Sequence, residues 1–195
     1  MQSDYNVLMY EVPLILDEAQ HLLQSVPYEA SPHCDARPLD IAIDTVIIHG
    51  ISLPPGTFGG DVISQFFCGK LDFDAYSALD WLRELRASAH ILIKRTGEIV
   101  QFVPFNKRAW HAGVSQFEGR THCNDFSIGI ELEGTDSTPY EMIQYIRLSA
   151  LVRLLMQHYT NIRHQRIVGH SDVAPGRKTD PGPYFNWDVF RGLIK

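Results

Sequence analysis

The sequence lacks any apolar run long enough to cross a bilayer, which excludes a helical membrane span. It lacks a basic stretch, and its net charge is −6. Without clustered Lys and Arg there is no electrostatic footprint for a phosphate backbone, so no nucleic-acid partner is expected. Cysteine is scarce: Cys34, Cys68 and Cys123 make an odd set with no CxxC pair. That is not a disulfide framework, and it fits a reducing compartment. The first residues, Met1-Gln2-Ser3-Asp4-Tyr5, carry no positive n-region followed by an apolar h-region, so no secretory signal is expected. There is no HExxH helix motif, no internal repeat, no low-complexity run and no linker. The expectation is one cytosolic domain over residues 1–195, with residues 1–30 as an N-terminal extension packed on it, and a monomer without membrane attachment.

What is abundant is histidine, nine in 195 residues. It is the commonest metal ligand and acid–base side chain. The chain is long enough for a substantial core, and 45% apolar residues is normal for a soluble globular protein. Asp44-Thr45-Val46-Ile47-Ile48-His49 is β-branched and almost continuously apolar, as in a strand buried on both faces. A short helix is expected near Leu16–Leu23 and an extended connector over 31–38. Leu79, Leu82 and Leu85 suggest a helix over Asp74–Arg86. Residues 89–94 and 99–103 read as a hairpin turning at Thr96-Gly97. Phe126–Glu133 reads as a further strand, with Gly129 allowing close backbone approach. A long helix is expected from Pro139 to about Tyr159, packed through Ile143, Ile146, Ala150, Leu154 and Leu155. A short one follows around Trp187–Leu193. A hairpin together with strand–helix crossovers points to an α/β domain with a central mixed β-sheet flanked by helices.

The most informative stretch is Val168-Gly169-His170-Ser171-Asp172-Val173-Ala174-Pro175-Gly176-Arg177-Lys178-Thr179-Asp180-Pro181-Gly182-Pro183. Its Pro and Gly density rules out a helix or regular strand and dictates a fixed, turned loop. Such a loop can aim polar groups at one point. His49, His170 and Asp180 offer two neutral imidazoles and a carboxylate, a set that suits zinc with a fourth position open for water. Asp172 is an alternative ligand, although a short Asx side chain in a loop commonly binds nearby backbone N–H groups. Glu131 and Glu133 share a strand face by parity, so parity does not choose between them. Trp81 and Phe66 read as core. His21, His158 and His164 read as surface residues.

Val46-Ile47-Ile48-His49, Ser127-Ile128-Gly129-Ile130-Glu131-Leu132-Glu133 and Gly169-His170-Ser171-Asp172 through Lys178-Thr179-Asp180-Pro181-Gly182-Pro183 resemble the zinc-dependent N-acetylmuramoyl-L-alanine amidases. The likeness extends from about Ser31 to Phe190 and includes Ala109-Trp110-His111-Ala112-Gly113. It is nearest to the cytosolic branch that acts on anhydro-muramyl peptides in cell-wall recycling. The resemblance implies the amidase and peptidoglycan-recognition fold and one zinc held by His49, His170 and Asp180. It implies Glu131 and Lys178 as the catalytic pair and an anhydro-muramyl peptide as the substrate. Arg86, Trp110, His111 and Asn124 are candidate substrate contacts. Two positions depart from the family pattern: Gly50, where relatives often carry Asn, and His122, where Arg is usual. Amidases of intact wall and non-catalytic peptidoglycan-binding modules of the same fold are the competing readings.

Overall fold

The computed structural model describes residues 13–195. The first part of the expected N-terminal extension, residues 1–12, lies outside the described residues. Five strands form the central sheet: β1 (Thr45–Ile51), β2 (Ile91–Ile93), β3 (Ile99–Gln101), β4 (Ser127–Glu133) and β5 (Ile167–Gly169). Their spatial order is β5-β1-β4-β2-β3. All neighbouring pairs are parallel except the β2–β3 hairpin. The helices are α1 (Val62–Phe67), α2 (Met142–His158), α3 (His170–Val173) and α4 (Trp187–Leu193). This is the expected mixed sheet flanked by helices.

Parity assigns the two faces of the sheet. Val46 and Ile48 on β1, and Ile128, Ile130 and Leu132 on β4, share a core with Leu148, Leu151, Val152 and Leu155 of α2. Burying each such side chain stabilises by roughly 1.5–3 kcal/mol, which holds a long helix with little intrinsic amphipathicity onto the sheet. The alternate residues, Ile47 and His49 on β1 and Ser127, Gly129, Glu131 and Glu133 on β4, point to the opposite face. All seven residues of β4 are buried. A central strand with neighbours on both edges and layers on both faces has no solvent side.

Several expectations are corrected. Residues 16–23 form a two-stranded hairpin, Leu16–Asp17 against Leu22–Leu23, rather than a helix. Asp17 Oδ1 accepts from the N–H groups of Ala19 and Gln20, and His21 takes a positive φ of 55°, so the side chain closes a turn. Residues 74–86 yield only a 3₁₀ helix, Ser77–Leu82. The spacing of three between the buried Leu79 and Leu82 suits three residues per turn as well as it suits 3.6. Trp81 is 66% exposed rather than core, and Leu85 is also exposed. On α2, Ile146 is exposed, and the buried stripe runs through Leu148, Leu151 and Leu155. The sheet meets the helix one residue-step around from the face the apolar pattern suggested. Residues 31–38 contain a strand, Cys34–Ala36, paired with Lys107–Ala109.

Gly129 shows why β4 carries a glycine at its centre. A Cβ there would lie 2.4 Å from His111 Cγ, so the imidazole occupies the space of the missing side chain. Gly129→Ala should therefore destabilise the fold by about 1–3 kcal/mol, the usual cost of overpacking. A shift in denaturation midpoint at constant m-value checks this; an unchanged midpoint would show that the ring has room to move.

Candidate functional site

The site forms where the C-terminal halves of β1 and β4 meet the loop after β5. The parallel register sets Glu131 directly opposite His49. β5 lies on the other side of β1, and His170 begins α3 immediately after it; the stretch from Val168, expected to be loop throughout, thus opens with a strand end and a short helix, because its prolines come only after Val173. The 174–180 loop then turns back, with Ser171 N–H donating to the Asp180 carbonyl at 2.9 Å. Asp180 thus returns beside His170.

Three donor atoms converge there. His49 Nδ1 lies 2.9 Å from His170 Nδ1 and 3.3 Å from Asp180 Oδ2, and His170 Nδ1 lies 3.0 Å from Asp180 Oδ2. His49 and His170 are 1% and 3% exposed. Burial pushes the His49 imidazole down to about 4, against the opposing pull of Asp180. A neutral ring with an available lone pair is what a metal ligand requires. Burial acts to raise the Asp180 carboxyl, but its close contacts with the His170 and His49 imidazoles outweigh it and hold the group well below its ordinary range.

Glu131 Oε1 is 3.9 Å from His49 Nδ1. Its Oε2 is buried with no hydrogen-bond partner. Burial, and then the charge of Asp180, push this carboxyl well above its ordinary value, while Lys178 opposes the shift. Among the described residues no protein group satisfies that oxygen, and such a buried, unpartnered carboxyl at a cleft is the kind of group that calls for an explanation beyond packing. Glu133 is its contrast. Its two oxygens accept from Gly59 N–H at 2.5 Å and Arg95 N–H at 3.0 Å, so it holds loops instead of pairing a surface cation. Asp172 is likewise structural, accepting from Gly169 N–H at 2.7 Å.

A cleft of about 330 Å³ opens above these groups. His49, His111, Glu131, His170, Lys178 and Asp180 lie on its polar side, and Leu53, Pro55, Phe66, Trp81, Leu82 and Leu85 on its apolar side. His111 is therefore brought to the site. The other three candidate contacts are placed elsewhere. Arg86 borders a neighbouring depression with Arg83 and Phe73. Trp110 stacks on His33, with ring centroids 6.2 Å apart. Asn124 Oδ1 accepts from the N–H groups of His111 and Ala112, at 3.2 and 2.8 Å. The tryptophan that does face the cleft is Trp81, beside Phe66. Reading it as part of a helical core hid it, and its isolation on a polar surface, between Asp80 and Arg83, was the available signal.

The two departures from the family pattern have plain settings. A Cβ on Gly50 would fall 2.3 Å from Tyr140 Oη, so the Tyr140 side chain fills that space while donating to the Pro181 carbonyl at 2.9 Å. His122 is exposed and takes a left-handed conformation, φ 58°, ahead of a 3₁₀ turn. It borders a surface depression with Asp40 and Arg120, away from the cleft.

Asn124→Ala would leave two backbone N–H groups of the 110–113 loop without their acceptor. Each such loss costs about 1–3 kcal/mol when buried. Because both hydrogen bonds are only part-buried, a loss of about 1–3 kcal/mol in all is expected in the unfolding free energy. Unchanged stability would show that water replaces the side chain fully.

A family model described as N-acetylmuramoyl-L-alanine amidase matches residues 39–183. The chain is 55% identical over 164 residues to the 1,6-anhydro-N-acetylmuramyl-L-alanine amidase AmpD of Escherichia coli, covering 84% of this chain and 89% of that protein. Among solved structures, a selenomethionine AmpD derivative superposes with a TM-score of 0.89 at 50% identity, covering 93% of this chain and 99% of that one. The Escherichia coli amidase AmiD, solved with anhydro-N-acetylmuramic acid-L-Ala-D-γ-Glu-L-Lys, gives a TM-score of 0.57 at 31% identity, covering 80% and 60%.

Proposed function

The chain belongs to the N-acetylmuramoyl-L-alanine amidase family, and on that premise we propose which residues do the chemistry and on which substrate. The enzyme hydrolyses the amide between the lactyl group of N-acetylmuramic acid and the L-alanine of the stem peptide. The substrate is proposed to be the soluble 1,6-anhydro-muramyl peptide, the compound named for the AmpD relative and bound in the AmiD complex. The observation that carries the assignment is the bare, buried Glu131 carboxylate beside three converging donor atoms on the floor of a cleft.

The donor set fits zinc. His49, His170 and Asp180 bring ligand atoms within 4.8 Å of one another, and two imidazoles with one carboxylate match the ion's preference for nitrogen and oxygen donors. These three residues would hold one zinc per chain. Zinc bound there supplies Lewis acidity toward an amide carbonyl and acidifies water. Glu131 takes the proton of the attacking water and returns it to the alanine nitrogen as the C–N bond breaks. The positive charge of Lys178, on the cleft wall, favours ionised Glu131 and stabilises the negative charge that develops on the carbonyl oxygen. The apolar wall offers Trp81, Leu82 and Leu85 to the sugar and the apolar part of the peptide.

A cytosolic, monomeric enzyme of cell-wall recycling is the setting that this reading favours. Its support is the odd set of free thiols, Cys34, Cys68 and Cys123, which suits a reducing compartment. Among the described residues no helix is long and apolar enough to cross a membrane.

Zinc content, kcat, KM and melting temperature measured together test the residue roles. His49→Ala and Asp180→Ala should lose zinc; full occupancy in both would remove them as ligands. Glu131→Ala and Lys178→Ala should keep zinc. Glu131→Ala should lose roughly 10²–10⁴-fold in kcat, and Lys178→Ala on the order of 10²-fold with little change in KM. Near-normal turnover in either folded, zinc-loaded variant would defeat the role given to that residue. Absence of turnover in wild type would identify a binding module instead.

The substrate assignment is tested by mass analysis of products. Anhydro-muramyl tripeptide should be cleaved with a higher kcat/KM than fragments ending in reducing muramic acid or than intact sacculi. Equal values would defeat the anhydro preference and favour an enzyme of the intact wall.

A further inference from the structure

We propose that His111 is a positioning residue that presents His49 to the metal through Nδ1, by means of a one-way chain of hydrogen bonds that ends on a backbone carbonyl. The inference rests on the zinc site assigned above and goes beyond it.

The chain is read from its fixed end. The carbonyl of Cys123 can only accept, so the Ser127 hydroxyl, 2.6 Å away, donates its single proton to it. The Ser127 oxygen is then free to accept from His111 Nε2, at 3.2 Å. With that proton on Nε2, the neutral His111 ring has its lone pair on Nδ1. His111 Nδ1 lies 2.9 Å from His49 Nε2, so His49 must donate there. The proton of His49 is thereby held on Nε2, and its Nδ1 lone pair points at His170 and Asp180. In the opposite tautomer, the lone pairs of His49 and His111 would face each other at 2.9 Å and a proton would stand where the metal belongs; the Nδ1 lone pairs of His49 and His170, likewise 2.9 Å apart, are the pair that a bound cation would satisfy.

The second histidine ligand is ordered by the same segment. His170 Nε2 lies 3.2 Å from the Ala112 carbonyl. A carbonyl can only accept, so His170 also carries its proton on Nε2 and offers Nδ1. Consecutive residues 111 and 112 thus hold the outer nitrogens of both imidazoles. They are themselves fixed by Asn124 from one side and by Arg177, which donates to the Ala112 and Val114 carbonyls at 2.6 Å each, from the other. The missing Cβ of Gly129 makes room for the His111 ring. Among the described residues, the partner of His49 Nε2 is the His111 ring and not a carboxylate. An imidazole acceptor orients that ligand without adding charge to a site that already holds Asp180 and Glu131.

Partners of this kind commonly change metal affinity by about 10–100-fold. Zinc affinity of the full chain, measured by competition with a chelator, should therefore fall by about 10–100-fold in His111→Phe, which keeps a ring but no nitrogen. His111→Gln should recover part of the loss, because its carbonyl oxygen accepts the same proton. Ser127→Ala removes the acceptor of His111 and should weaken zinc by a smaller factor. Nitrogen-resolved NMR of zinc-loaded wild type should show His49 and His170 with protonated Nε2 and metal-bound Nδ1. If wild type takes up no zinc, the metal site itself fails. If wild type binds zinc but His111→Phe binds within about twofold of it at an unchanged melting temperature, the positioning role is overturned, well short of the expected range. A proton found on His49 Nδ1 overturns it equally. Should His111→Phe fail to fold, the wild-type spectrum and Ser127→Ala decide the question.

Discussion

The parallel pairing of β1 with β4, from Ser127 opposite Thr45 to Glu133 opposite Ile51, is the constraint on which the site depends. It sets Glu131 beside His49 and leaves Glu133 two residues further along, bound to backbone N–H groups. A slip of one residue would turn Glu131 into the α2 core and bring Ile130 or Leu132 to the site. That slip is blocked by Ile128, Ile130 and Leu132, which are fully buried against α2. The apolar face of the sheet therefore specifies the geometry of its polar face.

The polar face is costly to assemble. His49, His90, His111 and His170 are all buried, and burial drives His49 and His90 down to about 4 and 3. Neutral imidazoles avoid the expense of buried charge, but each still needs a partner for both nitrogens. The fold supplies these mainly from backbone and from other imidazoles. His90, for example, accepts from Gly129 N–H at 3.0 Å through Nδ1. Glu131 is the exception, with one oxygen unpartnered, and this is where strain in hydrogen bonding coincides with the proposed chemistry.

Arg37 secures the corner behind the site. Its guanidinium is buried, which lowers it to about 10, and it donates to the carbonyls of Asn124, Asp125, Ser127 and Phe105 at 2.8, 3.0, 2.8 and 3.2 Å. The same turn presents Asn124 to the 110–113 loop and Cys123 to Ser127. One buried cation thus fixes the segment that reaches both proposed histidine ligands. Gly50 and Tyr140 show a comparable economy on the cleft side, where a hydroxyl stands in the space of an absent side chain.

Much of this was legible in the amino-acid order. The apolar run ending at His49, the hairpin around Thr96-Gly97, the α4 segment and the Pro- and Gly-rich turn between Val173 and Asp180 all follow from local periodicity and from Gly and Pro. The motifs themselves carried the family resemblance. Local pattern failed where a side chain's destination depends on a remote partner. Leu79, Leu82 and Leu85 carry a spacing that fits two helix types, and only packing selected the 3₁₀ form. Ile146 and Trp81 look like core residues until the sheet and cleft are in place. Parity left Glu131 and Glu133 equivalent; strand register separated them. His111 and Asn124 stood in plausible loops, but that one reaches His49 and the other holds the loop from behind is a fact of tertiary structure. Sequence determined which elements form and which chemistry is available. The three-dimensional register of buried strands decided which atoms meet, because hydrogen-bond partners and lone-pair directions depend on distances of a few ångströms between segments far apart in the chain.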